Sequence, residues 1–178
     1  MPKIPPFPLI TAKTLASILV ATALLPGTVL GSQSNSVDSY VNPMDVSLAD
    51  PAILKDADGK YYVYGTGMQC WFSTNLIDWR EANVFGIYTP PAGDTRTNFW
   101  APEVIKRPSD GKYLMFYTAQ PQGGRLSIYL AQSNSPTSGF SDVYKDASAA
   151  AAPLFFTHAG DAWIDAHPFL DTDGKAYL

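Results

Sequence analysis

From Asp50 onward the apolar positions fall into short runs separated by polar turns, and one pattern of runs and turns recurs three times. Asp50-Pro-Ala-Ile-Leu-Lys-Asp-Ala-Asp-Gly-Lys-Tyr-Tyr-Val-Tyr is followed by Ala101-Pro-Glu-Val-Ile-Lys-Arg-Pro-Ser-Asp-Gly-Lys-Tyr-Leu-Met-Phe-Tyr and then by Asp165-Ala-His-Pro-Phe-Leu-Asp-Thr-Asp-Gly-Lys-Ala-Tyr-Leu. Each copy is a short apolar run, an Asp-Gly-Lys turn and a second apolar or aromatic run. Asp-Gly between such runs predicts a β-hairpin, because the turn requires positive φ and glycine adopts it without strain. A third strand per copy is predicted at Gln69-Cys-Trp-Phe-Ser and Leu126-Ser-Ile-Tyr-Leu-Ala-Gln-Ser, each running into a polar turn and returning with an aromatic residue. Helical periodicity is nearly absent, and the alanine tract at 147–152 is short and ends at Pro153, which predicts a loop or a single turn.

The turn glycines Gly59, Gly111 and Gly174 are 52 and 63 residues apart. That spacing suits a four-stranded blade with generous loops, and self-similarity at blade length favours a propeller over a sandwich. The predicted fold class is therefore all-β, a β-propeller of which the first two to three blades are present.

The repeat also bears on chemistry. Nine residues before the turn glycine lie Asp50 in the first copy and Asp165 in the third. In a propeller the start of each inner strand faces the central funnel, so two equivalent aspartates are expected at one cavity. Paired carboxylates around one cavity are what glycoside hydrolysis needs, one to protonate the leaving oxygen and one to deliver the attack. Singly, each would be an ordinary turn or cap residue, since Asp-Pro is common where strands begin. Ala101 sits at or near the same place in the second copy, with Glu103 two residues on as a third candidate. A one-residue difference in loop length leaves that register open.

Residues 1–31 differ from the rest. Lys3 and Lys13 precede an apolar run from Leu15 to Leu25, followed by Pro26 and small residues, the layout of a secretory signal peptide with cleavage after Gly31. The run is short for a membrane span. A secreted, extracellular product is expected, with 32–178 forming the propeller part. Removing two lysines leaves 10 basic against 16 acidic residues. An acidic surface with no basic stripe excludes a nucleic-acid or anionic-membrane partner and suits neutral substrates. The aromatic share of 13%, with four Trp and ten Tyr, fits the gripping of sugar rings, although aromatic residues fill cores as readily. Cys70 is the lone cysteine, so no disulfide forms within the chain, and a buried small hydrophobe is expected there. No Cys/His zinc spacing, phosphate-cradling glycine loop or Asn-x-Ser/Thr acceptor occurs.

Six stretches, in order, resemble glycoside hydrolase family 43: Ala49-Asp-Pro-Ala-Ile53, Tyr61-Tyr-Val-Tyr-Gly-Thr66, Ser73-Thr-Asn-Leu-Ile-Asp-Trp79, Trp100-Ala-Pro-Glu-Val104, Ser133-Asn-Ser-Pro-Thr-Ser-Gly-Phe140 and Ile164-Asp-Ala-His-Pro-Phe169. The resemblance implies a five-bladed propeller acting by inversion on arabinan or xylan, with arabinan, arabinoxylan or derived oligosaccharides as partners, as an arabinan-degrading enzyme, a β-xylosidase or an α-L-arabinofuranosidase, without a required cofactor. It implies Asp50 as general base and Asp165 as the residue that orients the acid and tunes its pKa. The general acid, a glutamate of a later blade, would lie beyond Leu178, and a calcium ion in the complete propeller would be held by residues that also come later. Five blades at this period need about 300 residues, whereas 147 follow residue 31. An amino-terminal fragment, without significant turnover of its own and monomeric, is expected. Glu103 is read as structural or substrate-supporting rather than as a substitute acid. Trp100 is the first candidate for stacking on sugar, followed by Trp71, Phe99 and Trp163. His167, two residues after Asp165, is placed by strand alternation on the same side. Two other readings compete. One is a non-catalytic carbohydrate-binding propeller. The other is a fructan- or sucrose-cleaving propeller, whose Asn-Asp-Pro-Asn-Gly strand is absent here.

Overall fold

A computed structural model describes residues 46–146, 150–154, 161–173 and 175–178. The chain divides into Met1–Asp38 and Ser39–Leu178. The expected signal peptide lies outside the described residues.

The described residues of the second unit form two four-stranded antiparallel sheets and a hairpin. Strands β1 (Ala52–Lys55), β2 (Tyr61–Gly65), β3 (Gln69–Ser73) and β4 (Arg80–Glu81) pair in that order. So do β5 (Thr97–Lys106), β6 (Tyr113–Gln120), β7 (Ser127–Ser133) and β8 (Ser141–Asp142). The third copy of the repeat supplies β9 (Phe169–Leu170) and β10 (Ala176–Tyr177). Each sheet is a meander, the simplest topology when every connection is a tight turn. The turns after β3 and β7 are built alike. Ser73 Oγ accepts from the N–H groups of Asn75 and Leu76, and Ser133 Oγ accepts from the N–H of Ser135, so short hydroxyl side chains satisfy the backbone where the strand ends.

The hairpin turns settle the register left open above. The N–H of Asp56 donates to the Lys60 carbonyl at 2.9 Å and that of Asp171 to Lys175 at 2.8 Å. In the second copy Arg107 instead reaches Lys112, one residue further, at 2.7 Å. The extra residue is therefore held in the turn, and the strand before it is not shifted.

Period-2 alternation in β2 and β6 puts Tyr62 and Tyr64 on one sheet opposite Tyr113, Met115 and Tyr117 on the other, and these side chains are the core between the two sheets. Cys70 lies in it, and burial pushes its thiol up to about 12. The sheets are tied by polar contacts. The Tyr64 hydroxyl donates to the Pro136 carbonyl at 3.0 Å, and Asp56, in the first turn, takes Lys106 Nζ at 2.8 Å and the Tyr113 hydroxyl from the second sheet.

Burial opposes ionisation of Asp56, but the hydrogen bonds from Lys106 and Tyr113 outweigh it and hold the carboxyl below its ordinary value of 3.8. A carboxylate with a depressed folded-state pKa contributes stability that is complete above the ordinary value and is lost as pH falls through the lowered one. Urea midpoints should therefore decline below about pH 4 in the native chain, and Asp56→Asn should flatten that decline while lowering the midpoint at neutral pH. An unchanged acid slope in Asp56→Asn would refute this assignment.

Candidate active site

The sites predicted from the repeat gather along the start of β5. Three residues at equivalent places have left-handed backbone: Asp50 at φ 53°, Ala101 at φ 42° and Asp165 at φ 56°. Left-handed φ in a residue with a Cβ costs about 1–2 kcal/mol, so its recurrence in all three copies marks a built kink at the entry to each inner strand. In β5 that kink is a bulge. Trp100 pairs with Thr118 and Glu103 with Phe116, leaving Ala101 and Pro102 opposite Tyr117 alone. Ala101 is thus the counterpart of Asp50 and Asp165, and Glu103 and His167 are counterparts of each other.

Two threonines connect the three kinks. The Thr66 hydroxyl donates to Asp50 Oδ2 at 2.6 Å and accepts from the Ala101 N–H at 3.0 Å. Thr118 Oγ1, on the strand that pairs with Trp100, accepts the Asp165 N–H at 3.2 Å. The two aspartates therefore flank a single strand segment, Asp50 linked to it through Thr66 and Asp165 one hydrogen bond from its partner strand. A further link joins Glu103 and His167, whose Oε1 and Nδ1 are 2.6 Å apart. Both carboxylates are exposed to solvent. Among the described residues Asp50 Oδ1 has no hydrogen-bond partner, so one oxygen of this carboxylate is positioned while the other stays free.

Gly65 sets how closely β2 approaches the chain before Asp50. A Cβ there would stand 2.8 Å from Leu48 Cδ2 and 2.9 Å from the Ala49 carbonyl, which accepts the Thr66 N–H at 3.0 Å. Gly65→Ala should push Ala49 and Asp50 away from Thr66. The expected cost is about 1–3 kcal/mol of stability, read from the urea midpoint.

The other predicted residues separate into two groups. Trp100 is half-buried at the bulge, between the two threonine links. Glu103 lies three residues further along β5 and is half-buried, with the exposed His167 paired to it. Trp163 is exposed, and its N–H donates to the Leu126 carbonyl at 3.0 Å. Phe99 instead packs its ring in the aromatic core, 5.7 Å from Tyr88 and 6.1 Å from Tyr117. Trp71 lies on β3 between Val63 and Glu81, on the sheet face opposite Cys70, two strands from Asp50's own strand. Thr66 and Thr118 were not among the sequence candidates. Their signal was present: each stands seven residues after a turn glycine, as regular as the aspartates nine before. Among the described residues no three His, Cys, Asp or Glu side chains converge as a metal site.

Residues 40–178 match the Glyco_hydro_43 profile, described as glycosyl hydrolases family 43. The chain belongs to that family. Among family 43 relatives, the extracellular endo-α-(1→5)-L-arabinanase of Thermotoga petrophila is 34% identical over 100 residues, covering 48% of this chain and 21% of its own length. The extracellular exo-α-(1→5)-L-arabinofuranosidase of Streptomyces chartreusis is 27% identical over 108 residues, covering 54% and 31%. The crystal structure of a thermostable family-43 glycoside hydrolase superposes with a TM-score of 0.64 at 36% identity, over 78% of this chain and 43% of that one. The chain spans less than half the length of each. The shared family 43 architecture agrees with the all-β reading, and the bulge at Ala101 lies in the middle of the matched region.

Proposed function

We propose that this chain is the amino-terminal portion of a secreted family 43 glycosidase that hydrolyses α-1,5-linked arabinan by single displacement, on a five-bladed propeller of which two blades and part of a third are present here. The carrying observation is the state of Asp50. Its Oδ2 is held by Thr66 and its Oδ1 has no hydrogen-bond partner among the described residues, as suits a general base that takes a proton from water without changing orientation. In this reading Asp50 deprotonates water as its oxygen bonds to the anomeric carbon. The glycosidic bond breaks with inversion, and the leaving oxygen takes its proton from a carboxylic acid about 6.5–9.5 Å from the base. That acid is assigned to sequence outside this chain. Asp165, across β5 from Asp50, orients it and tunes its pKa, and Trp100 between them is the stacking surface for the sugar.

The substrate reading is supported by the names of two relatives, an endo-α-(1→5)-L-arabinanase and an exo-α-(1→5)-L-arabinofuranosidase, both called extracellular. The test is sugar release by the full-length gene product from linear arabinan, arabinoxylan and β-1,3-galactan. Release from linear arabinan is expected. Release from xylan alone would move the substrate, and binding without release would replace the enzyme by a carbohydrate-binding propeller. Residues 32–178 alone should bind and not hydrolyse. Hydrolysis by them that Glu103→Gln removes would overturn the assignment of the acid.

A further inference from the structure

A cleft of about 480 Å³ opens next to the site, and neither Asp50 nor Asp165 lines it. Its inner wall is Gly67 and Phe99, the immediate sequence neighbours of Thr66 and Trp100, joined by a 3.1 Å bond from the Gly67 N–H to the Phe99 carbonyl. Its outer rim is Val84 and Phe85, which are 70% and 90% exposed. A single exposed apolar side chain is unremarkable in a folded protein, but two adjacent ones on the lip of a cleft are not.

The rim is braced. Asn83 Oδ1 accepts the Phe85 N–H at 3.0 Å, the Gly86 N–H donates to the Asn83 carbonyl at 3.1 Å, and Asn83 Nδ2 crosses to the Thr137 carbonyl at 3.2 Å. The Ile87 N–H then returns to the Met68 carbonyl at 3.0 Å, with Gly86 at φ 79°, where a Cβ would meet that same carbonyl at 3.3 Å. The floor contributes Gln69 and Glu81, whose side chains make no hydrogen bond or ion pair with any described residue. Lysine and arginine are missing from the lining. An exposed aromatic face carried on a braced backbone, beside unspent amide and carboxylate groups, suits a neutral sugar ring, because its C–H face stacks while its hydroxyls donate and accept. Glu81, unopposed by a cation, disfavours uronic acids.

We propose that this cleft is a distal subsite for a neutral sugar of the polysaccharide backbone, with Phe85 as its stacking platform and Gln69 and Glu81 as its hydroxyl partners. The proposal rests on the glycosidase reading and adds to it a subsite that short substrates do not reach.

The test separates the two. Binding of the 178-residue chain to linear arabinan is measured by affinity electrophoresis, which needs no catalysis, with polygalacturonate as the anionic probe. Retention by arabinan and not by polygalacturonate is expected. Phe85→Ala should weaken arabinan binding about 2–12-fold, the worth of one aromatic contact. Phe85→Trp should restore it, and Gln69→Ala should weaken it with the rim intact. In the full-length product, Phe85→Ala should raise KM on arabinan and leave hydrolysis of an aryl arabinofuranoside unchanged. No binding, equal retention by both polymers, or unchanged binding in both Phe85→Ala and Gln69→Ala would overturn the subsite. If sugar release is absent while Phe85-dependent binding persists, the glycosidase reading fails and the subsite stands.

Discussion

Asp50→Asn in the full-length product lowers the rate of arabinan hydrolysis by about 10²–10⁴, the range that removal of a positioned general base produces. Asparagine is nearly isosteric, and it can still accept from the Thr66 hydroxyl through its amide oxygen. The backbone is favourable too, because asparagine is among the residues that tolerate left-handed φ, here 53°. The substitution therefore removes proton affinity and leaves geometry. The expected result is a fall in kcat with thermal stability and arabinan binding within error of the native protein. A loss of binding or of stability in proportion to the loss of rate would mean that Asp50 is a strand cap, and the base would have to be sought elsewhere.

Arg96→Met should lower the stability of the chain by about 3–5 kcal/mol, the cost of leaving buried carboxylates without their cation. Arg96 leads into β5 and is enclosed by the core. Its guanidinium bonds Asp94 on one side, and Asp142, Tyr88 and Tyr117 on the other. The side chains of Arg96, Asp94 and Asp142 are 5%, 8% and 1% exposed. Aromatic faces complete the enclosure, with the guanidinium carbon 4.5 Å from the Tyr129 ring centre. Burial opposes the charge on Arg96, yet the hydrogen bonds it donates to Asp94 and the facing carboxylate of Asp142 raise its pKa above the ordinary value. Asp94 is correspondingly held low by Arg96 against its own burial. Arg96→Lys should recover little, since an ammonium cannot supply the planar fork that bonds two carboxylates and two hydroxyls at once. Urea midpoints of both variants give the measurement. A loss below about 1 kcal/mol, typical of an exposed pair, would show that water reaches this cluster.

The cluster shows where sequence reading stopped. Asp142 belongs to the buried face of its sheet, in the row of Val104, Met115 and Ala131. A charged residue at a two-residue strand far from Arg96 in sequence gives no periodic signal, and pairing between side chains 46 residues apart is a tertiary event. The placement of Phe99 was hidden for the same reason. Read as a sugar-stacking candidate beside Trp100, it turns its ring inward to the aromatic core around this arginine, because the bulge at Asn98 and Phe99 opposite Ala119 changes which way the strand faces. Trp71 carried the composition of a sugar platform, and the meander sets it between Val63 and Glu81, on the face opposite the core residue Cys70.

What the sequence alone determined was the repeat and everything that follows from local rules. Asp-Gly turns require positive φ, alternating aromatic runs require strands, and equal offsets from the turn glycines make Asp50 and Asp165 equivalent. Only the tertiary structure decided how the equivalent positions are held. It placed the extra residue of the second copy in the turn, which made Ala101 the third member of the set. It also brought Thr66 and Thr118 across from neighbouring strands to hold the two aspartates on either side of β5. Local propensity could not have shown this, because a hydroxyl has no preference for a particular carboxylate or amide until packing between sheets has fixed the distance between them.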